Sequence, residues 1–425
     1  MDFHPELYGL EPVPIENRQE GFWTVFSLFF NILLNPGTII STGIMCLAGF
    51  GIIPTISIQI ISVICGLLLI LPIGNFCAKK GIPGQILCRH IFGMKGSQYL
   101  TALPRLIISI YWFAFQIIAT TITLESLIKS LHLNISYYVL FMGIVLSQIL
   151  TAYWGFKLLK KISKFIIFLK ISVFLILIFT LLKYGNNTSI LNENYLYKIP
   201  SWQAVFLWVN TIIITMLSGA VEYSDLLRYN NKSNDIYYGA IFGSIFGTLI
   251  ASSFSALAIF LTNIKSINPF EIFFLYHLPI FFIILTAVVL ILDVWIINAF
   301  NLYSGGFCFN NLFTKLSRPN ATIVVSILAL LFSVFGKGII NNYVEYISIL
   351  GTVFVPICAI SLSYIIRQRA YFEPINNFIL HPLITYVAGV IIYLLLYKFK
   401  LNYTIPALWT IAICFILNDY FKSVI

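Results

Sequence analysis

With 425 residues, 60% of them hydrophobic and only 9% charged, this chain carries apolar runs of membrane-spanning length from end to end. That excludes a soluble domain and makes it a polytopic membrane protein. Its net charge of +10 sits in short loops between apolar segments, so the expected partner of the basic residues is an anionic lipid surface and not nucleic acid.

Residues 1–21 read as a polar tail and not as a signal peptide, because no basic region precedes a short apolar core. Hydropathy then predicts about twelve helices, each of roughly 20 apolar residues. They fall near 23–50, 54–77, 101–128, 134–156, 164–184, 202–224, 236–263, 277–304, 320–336, 342–367, 378–397 and 404–421. With the N-terminus inside, the inner loops hold Lys79, Lys80, Arg89, Lys95, Lys157, Lys160, Lys161, Lys164, Arg228, Lys232, Lys315, Arg318, Arg367 and Arg369. The outer loops hold about half as many basic residues, Lys265 and Lys400 among them, which predicts both termini in the cytoplasm of an inner-membrane protein.

The first span is interrupted by Asn35-Pro36-Gly37 and the sixth by Ser218-Gly219. Proline removes a backbone donor and glycine permits non-helical dihedrals. Interruptions at the same ordinal place in each half fit two inverted five-helix repeats, whose unwound backbone binds substrate and ion near the midplane. The expected all-α organisation is a tail (1–21), a first repeat (22–184), a second inverted repeat (202–367) and two additional C-terminal helices (378–425).

Span three, RLIISIYWFAFQIIATTITLES, sets Trp112 and Gln116 one turn apart on one face. An indole offers a stacking surface, and a primary amide offers donors and acceptors for the edge of a planar heterocycle. In span eight, Asp293, Ile297 and Asn301 follow at i, i+4 and i+8, with Asn298 beside them. A carboxylate inside a membrane faces a cavity or a partner. Asp293 is therefore a functional candidate, its structural rivals being a pair with Lys170 of span five or a cap on unwound backbone. Burial disfavours the charged carboxylate unless a cation opposes it, so proton binding is physically available to Asp293.

Enzyme signatures are absent: there is no Walker A sequence, HExxH, GxSxG or cysteine-histidine cluster. The seven cysteines lack CxxC spacing and read as packing residues. His4, His90, His132, His277 and His381 lie near span ends or loops, and NNTS at 186–189 contains glycosylation sequons.

The segment AKKGIPGQILCRHIFGMKGSQYLTALPRLIISIYWFAFQ, residues 78–116, resembles the nucleobase:cation symporter family of cytosine, purine, allantoin and hydantoin permeases. PVPIENR before span one, SDLLRY at 224–229 and NLYSGG at 301–306 agree, the last looking most like the cytosine-permease branch. The resemblance implies a LeuT-type inverted repeat and alternating-access import of a small heterocycle with sodium or protons. It implies further that Trp112 and Gln116 hold the base, with Thr215, Met216 and Ser218 in unwound span six and Asn298 and Asn301 on the span-eight side. Family members often carry an aromatic residue where Met216 falls, which leaves the stacking sandwich one ring short. The family's sodium site matches Asn31, Leu34 and Asn35 in span one, but its two span-eight hydroxyls fall on Ile296 and Ile297.

The expectation is a symporter for cytosine or a similar nucleobase, without a cofactor or an obligatory protein partner and not an enzyme. Its coupling ion is either a proton bound at Asp293 or a sodium ion held by Asn31, Leu34 and Asp293. Alternative readings are a permease for hydroxymethylpyrimidine or for allantoin or hydantoin, and, from another class, a non-transporting membrane receptor.

Overall fold

The computed structural model describes residues 9–154, 156–185, 193–262, 266–276, 278–334, 337–367, 376–399 and 404–424. His4, His277, Lys265, Arg369, Lys400 and the sequons at 186–189 lie outside them. The side chains of Lys157, Lys160, Lys161 and Arg318 lie outside as well. Among the described residues the regular structure is helical, apart from one isolated bridge between Glu20 and Asn230. Hydrocarbon offers backbone donors no partner, so each segment has to satisfy its own hydrogen bonds as a helix.

Among the described residues, eight helices are long and apolar enough to cross a membrane, or ten if each of two bent pairs is one span. Two shorter apolar helices, Tyr137–Gln148 and Pro319–Val334, stand where spans four and nine are expected. The bent pairs are the two interrupted spans. Phe22–Leu33 and Pro36–Leu47 meet at 46°, and Trp202–Ser218 and Ala220–Leu227 at 44°.

Span eight runs as one helix, Ile280–Leu312, eight residues beyond its expected end. Gly305 and Gly306 lie within it because a Cβ on either would press on span nine, Gly305 reaching Val325 at 2.9 Å and Gly306 colliding with Thr322. They are contact glycines of a continuous helix.

One glycine stripe of span seven escaped the sequence reading. Gly239, Gly243 and Gly247 share a face of Ser233–Thr262 and receive the backbone of span one. A Cβ would lie 2.8 Å from the Val25 Cβ at Gly239 and 2.6 Å from the Phe30 carbonyl at Gly247. Small residues four apart let membrane helices approach to backbone contact. This clamp holds the first half of span one up to its break.

The PVPIENR motif has a local role. Arg18 donates to the Lys79 carbonyl at 3.0 Å and the Lys80 carbonyl at 3.1 Å, the last carbonyls of Ile52–Lys80, and to Val13 at 2.7 Å. The chain then turns at Gly81, whose φ of +72° favours glycine. A guanidinium on the orphan carbonyls of a helix end supplies the partners they lack and opposes the helix dipole.

Gly243→Ile should lower the thermal unfolding midpoint in detergent, by an amount matching roughly 1–3 kcal/mol of overpacking or more. Gly143→Ala, where a Cβ meets nothing within 4 Å, should leave the midpoint unchanged or raise it.

Candidate functional site

The break in span one is built from three consecutive choices. Leu34 leaves the helical region at φ −100°, ψ 87°, and Asn35 is extended and accepts from the Thr38 N–H at 2.9 Å, capping the second half. Pro36 sits at the first helical position, where a missing N–H removes nothing. Gly37 donates its N–H to Gln116 Oε1 at 3.2 Å, an approach that a Cβ would block because it would lie 2.6 Å from Gln116 Nε2.

Breaking the helix strands carbonyls at the end of Phe22–Leu33. Lys170, fully buried in span five, points its ammonium at them. It donates to the Leu34 carbonyl, to Asn31 Oδ1 at 3.0 Å and to Asp293 Oδ1 at 2.7 Å. Asn31 presents its oxygen because its amide donates to the Ser27 carbonyl at 2.7 Å and the Ser163 carbonyl at 3.1 Å. An ammonium has three donors and no acceptor, so three acceptors satisfy it. Asp293, Asn31 and Leu34 thus meet around one cation that the chain supplies itself. Asn35 stands apart from them, its amide donating to Ile32.

A sodium ion on the same three groups would have to share the place of the Lys170 ammonium. Two like charges 4 Å apart repel by about 4 kcal/mol at an effective dielectric constant of about 20. Ile296 and Ile297 add no side-chain oxygen. The donor set does not fit sodium while Lys170 carries its charge.

Between the two breaks lies a cavity of about 100 Å³. An apolar cavity of about 150 Å³ admits benzene, so the scale is that of one small ring. Span one contributes Asn35, Gly37, Thr38 and Ser41, span three Trp112, Phe115 and Gln116, and span six Thr215, Met216, Ser218, Gly219, Glu222 and Tyr223. Span eight adds Ile297, Phe300 and Asn301, and span ten adds Tyr343.

Of the residues expected to hold substrate, Trp112, Gln116, Thr215, Met216, Ser218 and Asn301 line the cavity and Asn298 does not. Asn298 stands behind it, donating to Gln148 Oε1 at 2.6 Å and accepting from Asn301 Nδ2 at 3.1 Å. Its work is to orient Asn301, whose Oδ1 is left as an acceptor. The rings that Met216 cannot provide come from elsewhere. Tyr343 lies 5.5 Å from Phe115 and 6.5 Å from Trp208, and Tyr223 stacks on Phe300 at 6.2 Å.

Lys170, Glu222, Phe300 and Tyr343 were missed as site residues. A lysine in the apolar run KFIIFLKISVFLILIF and a glutamate one turn after Ser218-Gly219 were the available signals. The two rings had none.

Below the cavity, on the side of the N-terminal segment, buried charges tie the family-like motifs together. Arg105 pairs with Glu222 and donates to the Ser218 carbonyl at 3.1 Å. Asp225 accepts from the Gly84 N–H at 2.9 Å, and Arg228 donates to the Gly9 carbonyl at 3.0 Å. Arg228 also lies over the Phe307 ring at 4.9 Å.

Residues 12–387 match the family model described as permease for cytosine/purines, uracil, thiamine, allantoin. No curated protein matches the sequence. Among solved structures, Mhp1, a nucleobase-cation-symport-1 family transporter in a closed conformation with bromovinylhydantoin bound, aligns with a TM-score of 0.80 at 16% identity. That alignment covers 99% of this chain and 97% of Mhp1. The inward-facing conformation of Mhp1 aligns at 0.77 and 15% identity, over 99% and 96% of the two chains. A substrate-bound, outward-open Na+-coupled sialic acid symporter aligns at 0.72 and 14% identity, over 95% and 91%. At these identities the likeness is one of fold, and it is the LeuT-type fold.

Removing one partner of a buried ion pair costs about 3–5 kcal/mol, because the other charge stays buried. Lys170→Met should therefore lower the unfolding midpoint in detergent more than the double variant Lys170→Met/Asp293→Leu does. A loss in the double variant equal to the sum of the losses in Lys170→Met and Asp293→Leu alone would mean that the two side chains do not interact.

Proposed function

Because the chain belongs to the family of permeases for cytosine and purines, uracil, thiamine and allantoin, we propose that it is a proton-driven symporter that imports cytosine or a closely related nucleobase. The observation that carries this reading is the ring-sized cavity at the meeting of two broken spans, where Trp112 offers an indole face and Gln116 an amide edge. Gln116 Oε1 is held by Gly37, which leaves its Nε2 as a donor toward a base. Asn301 offers the acceptor opposite.

Coupling is assigned to the Lys170–Asp293 pair. The pair joins span five, and through Leu34 and Asn31 span one, to span eight, so it links the segment 22–184 to the segment 202–367. We take these segments as the two inverted repeats, with 1–21 as a tail and 378–425 as an addition outside the repeats. A proton on Asp293 cancels the charge that holds Lys170 and weakens the link. If protonation and substrate together favour one orientation of the repeats, transport is coupled to the proton. In this reading the protein sits in an inner membrane with both termini in the cytoplasm, and it needs no cofactor and no partner protein.

The test is uptake of radiolabelled cytosine into proteoliposomes under a pH gradient and, separately, a sodium gradient. Uptake should follow the pH gradient, stay unchanged without sodium, and fall at least tenfold in Asp293→Asn. Uptake driven by sodium would overturn the coupling assignment. Uptake of hydroxymethylpyrimidine or allantoin in place of cytosine would move the substrate within the family, and binding without uptake would make the protein a receptor.

A further inference from the structure

Two amides stand on the cavity wall, and a backbone group decides which way round each of them is held. Gln116, 6% exposed, receives the Gly37 N–H on Oε1 at 3.2 Å. A backbone N–H can only donate, so the atom it meets has to be the oxygen, and Nε2 is what Gln116 shows to a ligand. Asn301, 4% exposed, is held at one remove. Its Nδ2 donates to Oδ1 of the fully buried Asn298 at 3.1 Å. Asn298 in turn directs its own Nδ2 to the Phe113 carbonyl of span three at 3.3 Å and to Gln148 Oε1 of span four at 2.6 Å.

A backbone carbonyl can only accept. Turned over, Asn298 would set its oxygen against the Phe113 carbonyl, two buried acceptors with no proton between them, which is costly. The carbonyl thus decides, through Asn298, that Asn301 shows the cavity Oδ1 and not Nδ2. The result is a fixed order of polarity across the cavity, donor on span three and acceptor on span eight. A ring that fits brings an acceptor to Gln116 and an N–H to Asn301. Without Asn298 the Asn301 amide is able to turn, and it then meets a ring nitrogen as well as an N–H.

We propose that Asn298 is a positioning residue that sets specificity: by holding Asn301 with its oxygen to the cavity, it makes the span-eight wall select heterocycles that carry an N–H over those that carry only acceptors. This rests on the nucleobase reading above and adds to it a residue outside the cavity wall.

The experiment compares cytosine with pyrimidine, the same six-membered ring with two acceptors and no N–H, in native protein and in Asn298→Leu. Uptake of radiolabelled cytosine into proteoliposomes, under the gradient that drives it in native protein, gives KM and kcat. Competition by unlabelled pyrimidine gives its inhibition constant. Native protein should prefer cytosine by about tenfold or more. In Asn298→Leu the KM for cytosine should rise about three- to tenfold, the range of one neutral hydrogen bond, with kcat within about twofold of native. The inhibition constant of pyrimidine should stay within about twofold or fall, because the turned amide offers it a donor. A role in packing alone lowers kcat at constant KM, or raises KM and the pyrimidine constant by one factor, and either result overturns the proposal. If pyrimidine inhibits neither protein, the split between KM and kcat decides. Should Asn298→Leu fail to fold, Asn298→Ala is read in the same way, and native protein that holds pyrimidine as tightly as cytosine overturns the proposal without any variant. Cytosine uptake with an unchanged KM in the variant sinks this inference and spares the nucleobase reading. Native protein that transports no nucleobase sinks both.

Discussion

A helix that stops in the middle of a bilayer has to find partners for its last carbonyls, and no water is there to supply them. The Lys170 ammonium meets that constraint at span one, taking up the Leu34 carbonyl together with Asn31 and Asp293. Much else follows from it. Because the break is satisfied, Asn35 can start a second half-helix at a new angle, and Gly37 can come close enough to hold Gln116. Because Gln116 is held, the cavity has a donor of fixed direction. The glycine stripe of span seven keeps the first half-helix in register with the lysine.

The same problem is solved at span six with a cation that again comes from another span. There a guanidinium from span three reaches the Ser218 carbonyl and brings a carboxylate from the second half-helix as its counterion. Each break thus has one buried cation on its carbonyls and one buried anion beside it, and each pair is neutral overall. Buried pairs of this kind are weak contributors to stability, because desolvation offsets most of their attraction. Their value lies in dependence on geometry. If the first half of span one swings, Lys170 loses the Leu34 carbonyl and Asn31 together and keeps only Asp293 of span eight, which favours distinct arrangements of the break over a continuum.

The fold was legible in the sequence because its determinants are local. Apolar length gave the spans, and Asn35-Pro36-Gly37 and Ser218-Gly219 marked both breaks to within about two residues. The ends were less legible where packing overrode composition. Span eight was expected to end at residue 304, yet it runs on to Leu312, with Gly305 and Gly306 helical and packed against span nine. The candidate cavity was foreshadowed where a polar residue interrupts an apolar run, as at Gln116 and Asn301, and the buried ion pair where Asp293 does. Asn298 shows the limit of that signal, since a buried amide that orients another amide looks the same in sequence as one that touches ligand. Lys170 was visible as a partner of Asp293, but its hold on Leu34 depends on a backbone carbonyl, which no residue type announces. Tyr343 and Phe300 are single aromatic residues in aromatic-rich spans, and only the crossing of helices selects them.

The order in which Lys170 meets its three acceptors has a bearing on biogenesis. A lysine at the centre of a nascent span is a liability of roughly 2.5–3.5 kcal/mol at insertion. Ribosomal synthesis delivers span five more than a hundred residues before span eight, the Lys170–Asp293 separation being 123. Two of the three acceptors, Asn31 and Leu34, belong to span one and are already in the membrane when the lysine arrives. The broken helix can therefore chaperone the insertion of span five, and the aspartate closes a contact that is already two-thirds made.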